Sequence, residues 1–282
     1  MDAGAHDLGE RAVGPGLEGH EEPRERSGRE GESGGEVCAH PGRLPAGGLY
    51  PSAARYSGVM EIILVRHGES TANVAGVLAG RSNDVALTER GREQVAGARV
   101  LVPELGVPEV PVLTSPIARC VATARILLEA EGREAREPDV LDALAEVDYG
   151  EWTGRGIAEL LREELWQTVR TSPSRARFPG GESLPEVAER TRAALAAAVR
   201  RGEEAQAETV VLVSHGDVIK LALAHALGVE LDRFQRIAVA PASVSRIRVD
   251  AGDGHGPPMT VTMLGATAAG RRAEAAVPGG GR

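Results

Sequence analysis

The chain has 282 residues, of which 42% are hydrophobic, enough for one main domain with a sizeable core. Its formal net charge of −9 excludes a general affinity for nucleic acid or for an anionic membrane, because a negative surface is repelled by both polyanions. The two cysteines, Cys38 and Cys120, offer neither a metal-ligand spacing nor a disulfide framework, so we expect a cytoplasmic protein without a structural metal.

The two ends of the chain are poor in structure-forming residues. Residues 1–58 contain no Ile, Phe or Trp and are rich in Gly, Glu and Arg, so they cannot bury enough apolar area to offset the entropy of ordering. We expect residues 1–58 to be disordered, or to be a spurious extension ahead of a start at Met60, and residues 267–282 to form a disordered tail. The apolar stretch at 218–231 is too short for a membrane span.

Strand and helix patterns alternate between these ends. Runs rich in β-branched residues predict strands at 61–65, 110–115, 140–144, 209–214, 243–249 and 259–264. Helical patterns occur at 88–101, 116–129, 184–200 and 217–227. The alternation predicts an α/β fold, a three-layer α/β/α sandwich with a mostly parallel central sheet. The strands at 61–65 and 209–214 are apolar throughout, so we expect them at the centre of the sheet.

A histidine follows each of the two central strands. His67 comes after the strand at 61–65, next to Arg66, and His215 comes after the strand at 209–214. Ligands of open α/β sheets bind outside the carboxyl ends of the strands, so both histidines are expected at the functional site.

A second arginine falls at the start of a predicted helix. Ser115 is expected as the N-cap and Pro116 as the first residue of the helix at 116–129, whose first turn carries Arg119. The unpaired N–H groups and the dipole of a helix N-terminus favour an anion, and a guanidinium there can grip a phosphate through two hydrogen bonds. An anionic substrate is therefore predicted.

Five segments together resemble the motifs of one enzyme family. They are LVRHGES (64–70) with Asn73, SPIARCVATA (115–124), LAEVDYGEWTG (144–154), FPGGES (178–183) and VSHGD (213–217). In this order they resemble the histidine phosphatase superfamily, phosphoglycerate mutase-like branch, over a domain at 59–266. Within it the chain is similar to an actinobacterial subgroup of phosphatases and phosphomutases. The resemblance implies a phosphoglycerate mutase-like sheet with a small cap insertion at about 155–182.

The resemblance also implies roles for individual residues. His67 would be the nucleophile that forms a phosphohistidine, and Glu146 would be the general acid and base, with Asp148 and Glu151 as competitors. The implied phosphate-binding residues are Arg66, Asn73, Arg119, His215 and Gly216, of which Arg66, Arg119 and His215 would also take part in catalysis. No metal or other cofactor is implied.

The cap leaves the reaction type open. Its compact length favours a phosphomonoester hydrolase for a small phosphorylated metabolite, while a phosphoglycerate-type mutase and a non-catalytic phosphate-binding module are the alternatives. The cap arginines that could bind a second anionic group are Arg155, Arg162, Arg170, Arg175 and Arg177. Its large apolar residues, among them Trp152, Trp166 and Phe178, are expected to pack inside. The resemblance is compatible with a homodimer.

Overall fold

The structure is a computed structural model that describes residues 58–129, 136–250 and 258–268. The predictions of disorder at the two ends fall almost wholly on residues 1–57 and 269–282, which lie outside the described residues.

Six strands form one sheet in the spatial order β3, β2, β4, β1, β5, β6. The strands are β1 (Met60–Arg66), β2 (Val112–Thr114), β3 (Asp139–Val140), β4 (Thr209–Ser214), β5 (Val244–Val249) and β6 (Met259–Ala266). Strands β1 to β4 are parallel, whereas β5 pairs antiparallel with β1 and β6 pairs antiparallel with β5. The prediction of a mostly parallel sheet is confirmed, and the two apolar strands β1 and β4 are its central neighbours.

Helices cover both faces of the sheet. They are α1 (Thr71–Ala75), α2 (Glu89–Ala98), α3 (Ala118–Leu128), α4 (Ile157–Leu160), α5 (Glu164–Thr171), α6 (Leu184–Ala205) and α7 (Gly216–Ala226). Side chains alternate along β1, so that Ile62 packs on the face covered by α6 and α7 and Ile63 packs on the face covered by α2 and α3. The predicted three-layer sandwich is confirmed.

The strand predicted at 140–144 is wrong in extent. Only Asp139–Val140 pair with β2, and Asp142–Leu144 form a 3-10 turn instead. This segment is an edge of the sheet, so its backbone can leave the ladder, and the N–H of Leu144 bonds to the carbonyl of Leu141 while the Leu144 side chain becomes buried. The turn directs the following residues toward the carboxyl ends of the strands.

The start of the helix predicted at 116–129 is also corrected. Helix α3 begins at Ala118, and Ile117, not Ser115, is its N-cap residue. The Ser115 hydroxyl accepts a hydrogen bond from the Ile117 N–H at 3.3 Å and contacts His215 at 2.8 Å, so a tertiary contact holds Ser115 outside the helix. Helix α6 runs five residues beyond the predicted end at 200, to Ala205, and α2 stops at Ala98 with a 3-10 turn at Arg99–Leu101.

The cap segment contains α4 and α5 and packs through aromatic side chains. Trp152 stacks on Trp166 with ring centroids 5.9 Å apart, and Phe178 meets Trp152 edge to face at 5.4 Å. All three rings are buried, as predicted. Among the described residues, no helix is long and apolar enough to cross a membrane.

Candidate active site

The two histidines meet at the carboxyl ends of β1 and β4. The backbone N–H of His67 donates to the carbonyl of Ser214 at 3.0 Å, and the carbonyl of His67 accepts from the N–H of Ala242 at 3.0 Å. His67 is thus fixed from both neighbouring strands, and its ring lies edge to face with that of His215 at a centroid distance of 5.3 Å. The prediction that the two strand ends bring both histidines together is confirmed.

One small pocket opens at this edge of the sheet. It is lined by Arg66, His67, Ser70, Asn73, Val77, Ala79, Gly80, Arg119 and Glu146. Five of these were predicted from the sequence as site residues. Of the other four, Ser70 lies within the LVRHGES motif but had no predicted role, and Val77, Ala79 and Gly80 lie in the loop at 77–80, which no chemical motif marked. His215 and Gly216 are absent from this lining, because His215 lies behind Arg119.

The contacts of His67 assign its tautomer. Its Nδ1 lies 2.8 Å from the carbonyl oxygen of Gly68, which can only accept, so Nδ1 carries the proton. Its Nε2 lies 3.3 Å from Nε of Arg119, which can only donate, so Nε2 presents its lone pair. Burial, together with the charges of Arg119 and Arg66, holds the pKa of His67 well below its usual value. His67 is therefore a neutral imidazole with a nucleophilic nitrogen directed into the pocket.

Arg119 lies in front of both histidines and is itself buried. Besides His67, its guanidinium donates to the carbonyls of Gly80 at 2.7 Å and Ser82 at 3.2 Å, and to Nδ1 of His215 at 3.1 Å. These contacts hold the guanidinium against the nucleophilic nitrogen. A phosphate that takes hydrogen bonds from Arg119 would release Nε2 of His67.

His215 is fully buried behind this arginine. Since its Nδ1 accepts from Arg119, its Nε2 donates to the Ser115 hydroxyl at 2.8 Å. Burial and the charge of Arg119 lower the pKa of His215 well below its usual value, so it is neutral here. The thiol of Cys120 lies 3.3 Å from the same Nε2, and burial raises its pKa to about 12, which leaves it unreactive near neutral pH.

Arg66 and Asn73 are further polar residues of the pocket lining. Arg66 is buried and donates from Nη1 to the carbonyl of Val239 at 2.7 Å, which fixes its guanidinium. Asn73 belongs to a capping box of α1, in which its Oδ1 accepts from the N–H of Ser70 at 3.0 Å and from the Ser70 hydroxyl at 2.9 Å. The capping box thereby fixes the plane of the Asn73 amide, which lines the same pocket as His67.

Glu146 is the one acid in the pocket lining. Its side chain is only 4% exposed, and burial together with the negative charge of Asp217 raises its pKa to about 7, against the opposing charge of Arg119. Its competitors lie outside the pocket: Asp148 is half-exposed and accepts from the N–H of Gly150, and Glu151 is exposed. Geometry and charge therefore favour Glu146 as the acid.

Two arginines that sequence reasoning missed hold the backbone of Glu146. Its carbonyl accepts from Nε of Arg81 at 3.0 Å and from Nη2 of Arg190 at 3.1 Å. Arg190 also donates to the carbonyls of Ala143 and Ala145, at 2.9 and 2.6 Å. No local pattern marks Arg190, because it lies in the middle of α6, 44 residues from Glu146.

A buried polar chain behind the pocket was also missed. The Tyr149 hydroxyl donates to Oδ2 of Asp217 at 2.9 Å, and Nζ of Lys220 donates to Oδ1 of the same carboxylate at 3.1 Å. Lys220 also donates to Oε1 of Gln235 at 3.0 Å. Lys220 is the only lysine in the sequence, which was a compositional signal that could have pointed to it.

The cap arginines do not contribute to the described pocket lining. Arg155 pairs with Glu159 and Glu163, and Arg177 pairs with Glu186. The part of the chain that the structure describes also holds no group of three His, Cys, Asp or Glu side chains arranged to bind a metal ion.

Comparison with known proteins decides the family. The profile of the histidine phosphatase superfamily (branch 1) matches residues 62–256, a stretch that includes both histidine-bearing strand ends. The chain belongs to the histidine phosphatase superfamily. This membership supports an enzyme of the phosphatase or mutase type that acts through a phosphohistidine.

The similar proteins include both types. The chain is 32% identical over 195 residues to phosphoserine phosphatase 1 of Hydrogenobacter thermophilus, covering 68% of this chain and 88% of the relative. It is also 32% identical over 192 residues to a protein named probable phosphoglycerate mutase GpmB from Erwinia tasmaniensis, covering 67% of this chain and 85% of the relative. A solved mycobacterial glucosyl-3-phosphoglycerate phosphatase superposes with a TM-score of 0.62 at 25% identity, over 73% of this chain and 99% of the other.

Proposed function

We propose that this histidine phosphatase is a phosphomonoester hydrolase that acts on a small phosphorylated metabolite, with His67 as nucleophile and Glu146 as general acid and base. One observation carries the proposal: a neutral histidine with its lone pair on Nε2 shares a single small pocket with a carboxyl group whose pKa is about 7. A nucleophile that needs no deprotonation and an acid that is half-protonated at neutral pH are what ester cleavage requires.

In the first step Nε2 of His67 attacks phosphorus in line with the ester oxygen. The Nε2–P bond forms while the P–O bond to the alcohol breaks, and Glu146 gives its proton to the departing oxygen. Arg66 and Arg119 offset the charge on the transferring oxygens, and Asn73 supplies a neutral donor. Phosphate binding by Arg119 also frees Nδ1 of His215, which can then take a proton and face the dianion, as we propose for its role beside Gly216.

In the second step the Glu146 carboxylate takes a proton from water as the water oxygen attacks phosphorus. The Nε2–P bond breaks, inorganic phosphate leaves, and both His67 and Glu146 return to their starting protonation states. Neither step needs a metal ion, because the charge that develops on phosphate oxygen is met by the two buried guanidinium groups.

The pocket wall favours hydrolysis over mutase chemistry. Arg66 and Arg119 are the only cations in the described lining, and the wall beyond them consists of Val77, Ala79 and Gly80. A phosphoglycerate mutase must also hold a substrate carboxylate while the phosphohistidine persists, and the paired cap arginines offer no such group to the described pocket. The mutase remains the second candidate because one of the similar proteins bears a mutase name.

The test is release of inorganic phosphate from a panel of phosphomonoesters in the presence of EDTA. The panel contains phosphoserine, sugar phosphates and phosphoglycerates. Three proteins are compared on it: the wild type, His67→Ala, and the control His225→Ala on α7. Turnover in the wild type and in His225→Ala, lost in His67→Ala, supports hydrolysis. Equal background from all three would refute it. Interconversion of phosphoglycerates in place of phosphate release would identify a mutase, and phosphate binding without either reaction would identify a binding module.

The cytoplasm is the proposed location, since small phosphorylated metabolites are its proposed substrates. A homodimer remains a prediction from the family resemblance. Sedimentation of the purified chain at several concentrations would test the homodimer, and cell fractionation would test the location.

A further inference from the structure

The buried chain of Tyr149, Asp217, Lys220 and Gln235 has no part in the two steps above, and it joins three elements around the pocket. Tyr149 lies in the loop that carries Glu146, Asp217 and Lys220 lie in the first turns of α7 after His215, and Gln235 belongs to the 3-10 turn Leu231–Arg236. The side chains of Tyr149, Asp217 and Lys220 are each at most 3% exposed. Burying a carboxylate and an ammonium group is costly unless the pair is well bonded, which these contacts achieve.

We propose that Asp217, fixed between Tyr149 and Lys220, is a positioning residue. It keeps Glu146 protonated, so that Glu146 can supply the proton that the departing alcohol requires. The proposal rests on the proposed function, because it presupposes Glu146 as the general acid. Asp217 does not line the pocket, so it acts on the reaction through Glu146 and not on the substrate.

Charged groups face Glu146 from several elements packed around it. From β1 and α3, the cations of Arg66 and Arg119 oppose protonation of its carboxyl group, and from α7 the anion of Asp217 favours it. Arg81 and Arg190 meet the backbone carbonyl of the same residue. The neutral His67 lies across the pocket. Among the described residues, Asp217 is the anion that acts most strongly on Glu146, and without it Arg66 and Arg119 would favour the ionised acid before substrate arrived.

The balance of buried charge supports the same role. Apart from Glu69, which pairs with Arg90, the buried charges among the described residues are the cations of Arg66, Arg119 and Lys220 and the anion of Asp217. These four sum to +2 (3 − 1) when Glu146 is protonated. A phosphomonoester dianion carries about two negative charges near neutral pH, since its second pKa is near 6. The site is therefore matched to the dianion only while Glu146 keeps its proton.

Lys220 sets how strongly the charge of Asp217 favours the protonated form of Glu146. Its ammonium group bonds to one oxygen of Asp217 and offsets part of the field of that carboxylate, while the Tyr149 hydroxyl fixes the second carboxylate oxygen. Removing the carboxylate and removing the ammonium group should therefore change the protonation of Glu146 in opposite directions. A merely structural role would lower the rate at every pH without this reversal.

The experiment measures kcat/KM against pH with an alkyl phosphate, whose leaving group needs a full proton. In the wild type we expect activity to fall on the alkaline side with a midpoint near 7, where Glu146 ionises. Asp217→Asn should move this midpoint to lower pH by about 1 unit, and Lys220→Gln should move it to higher pH. Tyr149→Phe removes a hydrogen bond but no charge, so it is the matched control and should leave the midpoint nearly unchanged.

Glu146→Gln separates the two hypotheses. If its profile lacks the alkaline fall, the fall belongs to Glu146, and an unmoved midpoint in both Asp217→Asn and Lys220→Gln would then overturn the role of Asp217 alone. If the fall persists in Glu146→Gln, the proposed general acid is refuted, and the role of Asp217 with it. Should Asp217→Asn fail to fold, Lys220→Gln still decides, because a shift to lower pH or no shift contradicts the proposal.

Discussion

At the scale of single residues, one small pocket holds both the neutral imidazole of His67 and the carboxyl group of Glu146, which keeps its proton to an unusually high pH. Burial acts on both groups, but it lowers the pKa of His67 and raises that of Glu146, because in each case it disfavours the charged form. Both groups are consequently in their reactive states at the same pH. A more exposed site would leave the carboxyl ionised and unable to donate.

Glu146→Gln tests the acid directly. We expect the rate on alkyl phosphates to fall by about 10²- to 10⁴-fold, because the alkoxide must then leave without a proton. The rate on p-nitrophenyl phosphate should fall much less, since its leaving group is a weak base. Initial rates on the two substrates measure the difference, and Glu151→Gln, at an exposed position outside the pocket, is the control. Equal losses on both substrates would argue against a proton-transfer role.

Arg119→Lys tests the phosphate clamp. A lysine cannot reproduce the forked contacts with His67, His215 and the carbonyl of Gly80, so we expect kcat/KM to fall by about 10³-fold or more. The control is Arg125→Lys on the same helix, where an exposed ion pair with Glu137 should make the change nearly silent. Steady-state kinetics of the two variants provide the comparison, and similar values for both would refute the clamp.

At the scale of elements, α2 packs closely against the turn that follows His67. A Cβ added at Gly91 would lie 2.0 Å from the carbonyl oxygen of Glu69, and one added at Gly68 would lie 2.4 Å from the carbonyl oxygen of Gly91. Gly68 and Gly91 therefore allow the loop and the helix to come into direct backbone contact. This contact fixes where His67 stands relative to α2.

Gly91→Ala should consequently destabilise the fold by about 3 kcal/mol or more, since backbone must move to admit the methyl group. Gly97→Ala lies on the same helix, where its Cβ would meet only Ala268 at 3.6 Å. We expect it to stabilise by up to about 1 kcal/mol through helix propensity. Urea denaturation of both variants measures the two free energies of unfolding, and the same sign for both would contradict this account.

The elements also show what sequence patterns can and cannot predict. The strands β1 and β4 were predictable because each is continuously apolar, and their histidines followed from the rule that parallel strands present ligands at their carboxyl ends. The start of α3 was not, because Ser115 is held by His215, a residue 100 positions away. The shortness of β3 likewise depends on its place at the sheet edge, which no local pattern encodes.

At the scale of the molecule, all nine residues of the pocket lining fall between Arg66 and Glu146, whereas two of the groups that hold them come from later elements. Arg190 of α6 holds the loop of Glu146, and Val239 before β5 holds Arg66. Five of the nine pocket residues could be predicted from their motifs. Arg190 and Val239 could not, since each is remote in sequence from the residue that it holds.

The domain boundary is tested by a shortened chain. We expect residues 58–282 behind an initiating methionine to keep kcat/KM within about 3-fold of the full chain, because residues 1–57 contain no Ile, Phe or Trp that could contribute to a core. Phosphate release and thermal unfolding compare the two proteins. Loss of folding in the shortened chain would show that residues 1–57 belong to the domain.

The position of β1 in the sheet has a consequence for synthesis on the ribosome. Glu61 pairs with Thr209 on one side and with Arg248 on the other, so both hydrogen-bonding neighbours of the nucleophile strand are made long after it. At a synthesis rate of about 5 to 20 residues per second, roughly 10 to 30 seconds pass between the synthesis of β1 and that of its neighbours. During this time the apolar side chains of β1 are uncovered. Nascent chains that end before β4 therefore carry all nine residues of the pocket lining but neither neighbour of β1, and their apolar strand stays open to aggregation until β4 and β5 are made.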